Sequence, residues 1–564
     1  MKFSEIPYER PLLEDYQTRF DALLKAFVEA PSGENQLAAM DEINQLRSVF
    51  STLSTVVAIR HSLDTKDAFY SDEQDYMDQV GPQFEALQQR FYKALIEAEF
   101  KETLINERGE LLFSIAEQSL STFDESIIPL LQKENSLTTE YGKLLASAEI
   151  PFRGETYALS QMAPFMQSID RDTRKEAAEA LFGFYASEEA TLDRIYDDLV
   201  KVRHEIALAL GYENFTALGY ARMGRLDYKE DDVKVFRDQV KTYLVPMANQ
   251  LHARQAKRLD ISPLKYYDAS LKFLNGNATP KGDREALVSA AAQMYKEMSP
   301  ETDQFFTLMQ DRELMDLDAR KGKQGGGYCA PLSLYKVPFI FANFNGTSHD
   351  VDVLTHEAGH AFQMYQSAHH LVPEYHMATY EASEIHSMSM EFFAWPWMSS
   401  FFKEDTEKYK FTHVAGNVAF IPYGCLVDEF QHEVYNNPNL TPKERRSLWS
   451  KLEKDYRPML DYDGHAFLEN GGYWFVQSHI FQVPFYYIDY TLAQVSAMQY
   501  WAWMQEDYAS AWQSYLKLCK AGGTRTFTGL LKYAGLDSPF VEGTMKKILP
   551  TMEAYLNSVD DQAL

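Results

Sequence analysis

The first 180 residues contain only five glycines, Gly33, Gly81, Gly109, Gly142 and Gly154, and place apolar side chains every three or four positions. A stretch so poor in helix breakers, with one apolar stripe per turn, buries its core as packed helices. Leu12, Leu13, Tyr16, Phe20, Leu23, Leu24 and Phe27 form such a stripe within 10–50, and Phe84, Leu87, Phe91, Leu95, Phe100 and Leu104 form another over 84–104. The same period returns over 174–245, and 377–564 also reads as mainly helical. A chain of 564 residues is too long for one simple core. Two or more lobes are therefore expected, divided into an N-terminal helical domain over 1–175 and a second domain over 176–564.

The texture changes near 320. Lys321-Gly322-Lys323-Gln324-Gly325-Gly326-Gly327 reads as a mobile loop, because successive glycines are costly to order. After it, Val337–Phe344 is apolar, aromatic and bounded by Gly346, which predicts a short strand. Pro338 lacks an N–H, so the strand is expected at a sheet edge, or to begin there. Thr347 and Ser348 are then expected to cap a helix beginning near Asp350.

Acidic residues number 82 and basic ones 54, a net charge of −28. Such a surface repels nucleic acid and anionic membranes. The start, MKFSEIPYERP, has no apolar run after its basic residue, and no stretch reaches transmembrane length. Cys329, Cys425 and Cys519 are odd in number and far apart, which suits a reducing compartment. A cytoplasmic location is expected.

The predicted helix after the strand carries His356-Glu357-Ala358-Gly359-His360. Residues four apart share a helix face, so both imidazoles can meet one ion, while Glu357 stands about 100° round from His356. This is the H-E-x-x-H arrangement, two zinc-binding histidines with a glutamate base between them. A catalytic zinc takes a third protein ligand and keeps one position open. The segment 380–391 offers Glu381, Glu384 and Glu391 on one helix face, with His386 pointing away, and spacing alone leaves the choice open.

Together with Glu384-Ile385-His386-Ser387 and Glu391, that motif resembles the thimet oligopeptidase family of metallopeptidases, and within it the oligoendopeptidase F and Pz-peptidase branch. The resemblance implies a mainly α fold, with two helical lobes enclosing a deep substrate channel and a small β-sheet beside the motif helix. It selects Glu384 as third ligand of one zinc per chain, since Glu381 has no serine three residues on. It gives Glu357 as the base, His479 and Tyr490 as oxyanion donors and Tyr487 as a substrate-binding residue. Without the family, 484–494 would equally suit an aromatic core helix, with Pro484 in its first turn. The branch more often has a small residue in place of His386. Gly471 and Gly472 match a hinge-like loop over the substrate, and 337–344 matches an edge strand that a peptide could extend. The expected activity is cleavage of internal bonds in short peptides.

Two other readings remain. A carboxypeptidase or dipeptidyl-carboxypeptidase would need a cation for the substrate's terminal carboxylate, and 484–494 offers Asp489 but no Arg or Lys. A non-catalytic zinc-stabilised peptide-binding protein would normally close the metal with four protein ligands and would not need Glu357.

Overall fold

Helices carry most of the chain, as its glycine-poor stretches require, and the computed structural model describes residues 1–320 and 322–564. The first apolar stripe near the N-terminus lies along α1 (Leu13–Val28), and α2 (Gly33–Leu63) follows it, capped by Ser32, which accepts the Asn35 N–H. The second runs along α3 (Ala68–Ile96) and resumes in the helix Lys101–Arg108, with Phe100 at the break. Phe20, Phe27, Ile43, Phe91 and Leu95 fill the core among them, and Val372 and Tyr375 join it from far along the chain. A short antiparallel hairpin, β1 (Ile150–Phe152) and β2 (Glu155–Tyr157), interrupts a region expected to be wholly helical. Its two-residue turn has positive φ at both Arg153 and Gly154, the primed geometry that matches strand twist.

A much larger core holds the rest, and the helix Ile128–Ala146 packs there against Glu189–Ala209. A three-stranded sheet is set into it: β3 (Met315–Asp318), β4 (Tyr328–Leu332) and β5 (Val337–Phe344), in the order β3-β5-β4. The expected edge strand is thus the central one, parallel to β3 and antiparallel to β4. Its side chains from Val337 to Ala342 are all buried, as in a strand covered on both faces. Pro338 is tolerated because β3 begins opposite Ile340, so no N–H is wanted from Pro338 on that side. The sheet's two edges are β3 and β4.

The glycine loop before β4 is tethered rather than free. Asn343 Nδ2 donates to the carbonyls of Gln324 and Gly326 at 2.9 and 2.8 Å, Gln324 N–H donates to Ser62 O at 2.9 Å, and Thr65 N–H donates to Gly322 O at 2.8 Å. Lys321 lies outside the described residues.

Four helices then carry the site: α4 (His349–Ser367), α5 (Tyr380–Phe393), α6 (Thr406–Asn436) and α7 (Tyr487–Ala521). The entry to α4 differs from the expected Thr347-Ser348 cap. The Asp350 carboxylate turns back to accept the N–H groups of Asn345 and Gly346, both at 2.8 Å. The Thr347 hydroxyl instead donates to Asn345 Oδ1. Pro484 is likewise not in the first turn of α7, which begins at Tyr487 after Phe485 adopts a positive φ of 67°. No helix among the described residues is long and apolar enough to cross a membrane.

Two glycines set how closely these helices cross. A Cβ at Gly359 would lie 2.6 Å from both His386 O and Ser387 Cα, so α4 meets α5 backbone to backbone there. A Cβ at Gly424 would lie 2.2 Å from Thr491 Cγ2, where α6 crosses α7. Glycine inside a helix costs about 1 kcal/mol relative to alanine, and the close crossings are what that cost permits.

Candidate active site

The α4–α5 crossing brings His356, His360 and Glu384 together, with one ligand atom from each lying within 4.8 Å of the others. Glu384 Oε2 is 3.2 Å from His356 Nε2 and 3.4 Å from His360 Nε2. Ligand atoms about 2.0–2.2 Å from one tetrahedral ion stand roughly 3.3–3.6 Å apart. The two observed distances are close to that spacing. Burial alone would raise the Glu384 carboxyl, but His360 and the two imidazole contacts hold it well below the usual carboxylate range.

The carboxylate is oriented from both sides. Ser387 Oγ donates to Oε2 at 2.9 Å and Tyr486 Oη donates to Oε1 at 2.6 Å. Burial, then the charge on Glu384, raises the Tyr486 phenol well above its ordinary pKa, so it stays a donor. Glu391, left open by spacing as a ligand, stands one step further out. Its Oε1 lies 2.7 Å from His356 Nδ1 and its Oε2 lies 2.8 Å from His413 Nε2. Burial opposes ionisation there, yet contacts with the two histidines bring the Glu391 carboxyl down to about 2. Neither His413 nor the Tyr486 contact was anticipated from the sequence.

Glu381, one turn before Glu384, is turned away. It is buried beside Arg225, whose side chain donates to Asp489 Oδ1 at 2.8 Å and to Phe485 O at 2.5 Å. Burial raises the Glu381 carboxyl, with Arg225 opposing. His386 is fully buried outside the three-ligand group, and burial, then His360, lowers it to about 3. Its backbone carbonyl accepts the Tyr515 hydroxyl at 2.8 Å.

Glu357 sits beside the three candidate ligands. It is buried, and its Oε2 makes no hydrogen bond to any described residue. Burial raises its pKa, with His356 and His360 opposing. A Cβ at Gly327 would stand 3.5 Å from Glu357 Oε1, so the glycine just before β4 brings that strand's backbone up to this carboxylate.

His479, Tyr486, Tyr487 and Tyr490 form one aromatic group, with the His479 ring 5.7, 5.1 and 5.8 Å from the three tyrosine rings in turn. The Tyr423 hydroxyl donates to Gln477 Oε1 at 2.9 Å, which orients the amide so that Gln477 Nε2 donates to His479 Nδ1 at 2.7 Å. An Nδ1 that accepts leaves the ring proton on Nε2. Burial lowers the His479 pKa to about 4, so a neutral donor is the form present at neutral pH. Burial and Glu384 raise Tyr490 well above its ordinary value, and burial raises Tyr487.

The glycine pair is closely packed. A Cβ at Gly471, which has φ 83°, would lie 2.0 Å from Arg446 O, and one at Gly472 would lie 2.5 Å from the Phe467 ring. These residues are wedged into packing. At Gly325 and Gly326 an added Cβ would meet open space.

Residues 3–123 match the family profile described as Peptidase M3 N-terminal domain, and residues 164–549 match Peptidase family M3. The chain is 23% identical over 455 residues to the Oligoendopeptidase F homolog of Borreliella burgdorferi, covering 77% of this chain and 73% of that protein. It is 22% identical over 456 residues to Group B oligopeptidase PepB of Streptococcus agalactiae, covering 76% and 72%. A solved structure of PZ peptidase A with inhibitor 2 is similar over 100% of both chains, with 52% identity and a TM-score of 0.97. Oligoendopeptidase-F from Enterococcus faecium shares the fold alone, at 16% identity, a TM-score of 0.64 and 98% coverage of each chain.

Proposed function

The chain belongs to peptidase family M3 and is a metallopeptidase, and from that premise we propose that it is a zinc-dependent oligoendopeptidase cleaving internal bonds of short peptides. The observation that carries this reading is the convergence of His356, His360 and Glu384 on one point, with Glu357 beside them, whose Oε2 has no hydrogen bond to any described residue. Two imidazoles and one carboxylate, with a fourth position left open, are a donor set that suits one catalytic zinc. When bound there, zinc supplies a Lewis acid that polarises the scissile carbonyl and makes water more acidic.

Glu357 takes a proton from the attacking water and later delivers it to the leaving amine. The burial that raises its pKa strengthens it as a base. His479 Nε2–H and the Tyr490 hydroxyl donate to the carbonyl oxygen as negative charge builds on it. Tyr487 bears on the substrate beside them. An extended peptide would pair with the outer edge of β4, not with β5, whose two sides are already occupied. Backbone pairing of that kind tolerates many side chains. The helices of 1–175 would form one wall of an enclosed channel that admits unstructured peptides and excludes folded proteins.

The carboxypeptidase reading now has a cation to consider, Arg225, which lies beside the start of α7. It is buried, and its charge is already balanced by Asp489 at 2.8 Å, which weighs against its holding a terminal carboxylate.

The test is cleavage of an internally quenched peptide with the products mapped, before and after treatment with a chelator and then zinc. Internal cleavage that the chelator abolishes and zinc restores is expected. Release of C-terminal residues only would favour the carboxypeptidase. Stoichiometric zinc without turnover would favour the binding protein.

A further inference from the structure

A carboxylate that orients a metal-binding imidazole has a second oxygen, and in a buried site that oxygen needs a donor of its own. For Glu391 the donor comes from α6. Its Oε1 faces His356 Nδ1 at 2.7 Å, and its Oε2 faces His413 Nε2 at 2.8 Å. Behind His413, Trp395 Nε1 donates to His413 Nδ1 at 3.2 Å. An indole N–H can only donate. His413 Nδ1 must therefore be a bare acceptor, which puts the ring proton on Nε2, pointing at Glu391.

The ring is also held against rotation. The His413 side chain is 6% exposed. Tyr409 stacks on it with centroids 5.6 Å apart and planes 18° apart, and Phe392 meets it edge-on at 4.8 Å. Tyr409 is itself fixed by donating to Asp352 Oδ1 at 2.7 Å. The row from Trp395 through His413 to Glu391 thus has one hydrogen-bond polarity. Glu391 is left accepting from both imidazoles, and His356 keeps its proton on Nδ1 and its lone pair on Nε2.

We propose that His413 is a positioning residue for the metal, holding Glu391 so that His356 is locked in the tautomer and orientation that present Nε2 to the ion. The inference rests on the zinc-site reading above. His413 is not in the three-residue metal group, and its effect is felt at His356, two hydrogen bonds away.

The experiment compares the zinc affinity of the full chain with that of His413→Phe and His413→Gln, by competition with a chromophoric chelator at one neutral pH. Phenylalanine keeps the stacked ring and removes the donor, and should weaken zinc binding about 10–100-fold, the usual cost of losing such an outer partner. Glutamine restores an N–H toward Glu391 and should come back to within about threefold of wild type. A merely structural role would lower the thermal midpoint of the metal-free His413→Phe protein and leave its zinc affinity unchanged, which would overturn the proposal. If His413→Phe does not fold, Trp395→Phe carries the test. Without the indole donor the His413 proton is free to move to Nδ1, and affinity should fall by about threefold or more, whereas unchanged affinity overturns the proposal. A wild type that holds no zinc would sink the metal reading and this inference with it. Tight wild-type binding with unaffected variants would sink this inference alone.

Discussion

Replacing Tyr486 by Phe removes one oxygen from the site and little else. The hydroxyl donates to Glu384 Oε1 at 2.6 Å, and Glu384 is only 3% exposed. A hydrogen bond to a charged group is worth about 1.5–3 kcal/mol. At 1.4 kcal/mol per tenfold, its loss should weaken zinc binding about 10–150-fold. Ser387 still holds Oε2 at 2.9 Å, which favours the lower half of that range. The ring contacts with Tyr380, His479 and Tyr490, at 5.3, 5.7 and 4.9 Å, survive in Tyr486→Phe, so the fold should hold. The assay is zinc titration of the metal-free protein against a chelator, followed by kcat and KM at saturating zinc. The expected result is weaker zinc binding with near-normal kcat once the site is filled. Unchanged affinity would refute the reasoning, and unchanged affinity with a lowered kcat would show that the phenol acts on substrate instead.

Glu357→Gln should keep both fold and zinc while losing about 10²–10⁴-fold in kcat; near-normal kcat would make the metal structural. Glu384→Ala should lose most of its zinc affinity, whereas Glu381→Gln, altered only beside Arg225, should bind zinc like wild type. Equal losses in the two would mean that α5 is in another register. His479 binds a proton only below about pH 4, where a free imidazole would already be charged below about 6.5. A depressed histidine favours the unfolded chain as it protonates, so its contribution to stability is present above pH 6.5 and lost as pH falls from 6.5 to 4. Its neutral Nε2–H should therefore serve throughout that window. His479→Gln is expected to lower kcat/KM about 10²–10³-fold without changing the shape of the pH profile, and the disappearance of a limb near 6.5 would identify the cation as the working form.

The helical lobes were legible because a 3.6-residue apolar period leaves a chain few other ways to bury its side chains. Where the sequence misled, one residue type had two physical uses. Pro338 suggested an edge, but the unbroken apolar run from Val337 to Ala342 is the pattern of a strand covered on both faces, and the proline merely precedes the ladder with β3. Glycines at 325–327 and at 471–472 both suggested freedom. The second pair is there because a Cβ would strike Arg446 O or the Phe467 ring. Composition cannot tell a glycine that bends from one that lets another group come close. The Arg153-Gly154 turn escaped notice because arginine is a poor marker for a position with φ of 52°.

Within the site, His356, Glu357 and His360 could be read directly, since their relation is fixed by one turn of one helix. Glu381, Glu384 and Glu391 could not be separated by spacing, because what distinguishes them is the neighbour each meets: Arg225, the paired imidazoles, and His413. Those neighbours are remote in sequence. Tyr486 lies 102 residues from Glu384, and His413 lies 22 from Glu391. Tyr486 also stands at the N-cap of α7, so its direction did not follow from a helical projection of Tyr487 and Tyr490. The link between α4 and α5 is held from further away still. Glu374 accepts from Arg47 at 2.5 Å and Tyr92 at 2.6 Å, and Tyr375 Oη accepts the Leu112 N–H at 3.0 Å, while Val372 and Tyr375 lie in the N-terminal core. Removing those helices would strip Glu374 of both partners and expose Val372 and Tyr375. The N-terminal helices thus bear on the candidate site itself, because the segment that sets how α4 and α5 follow one another is folded into their core.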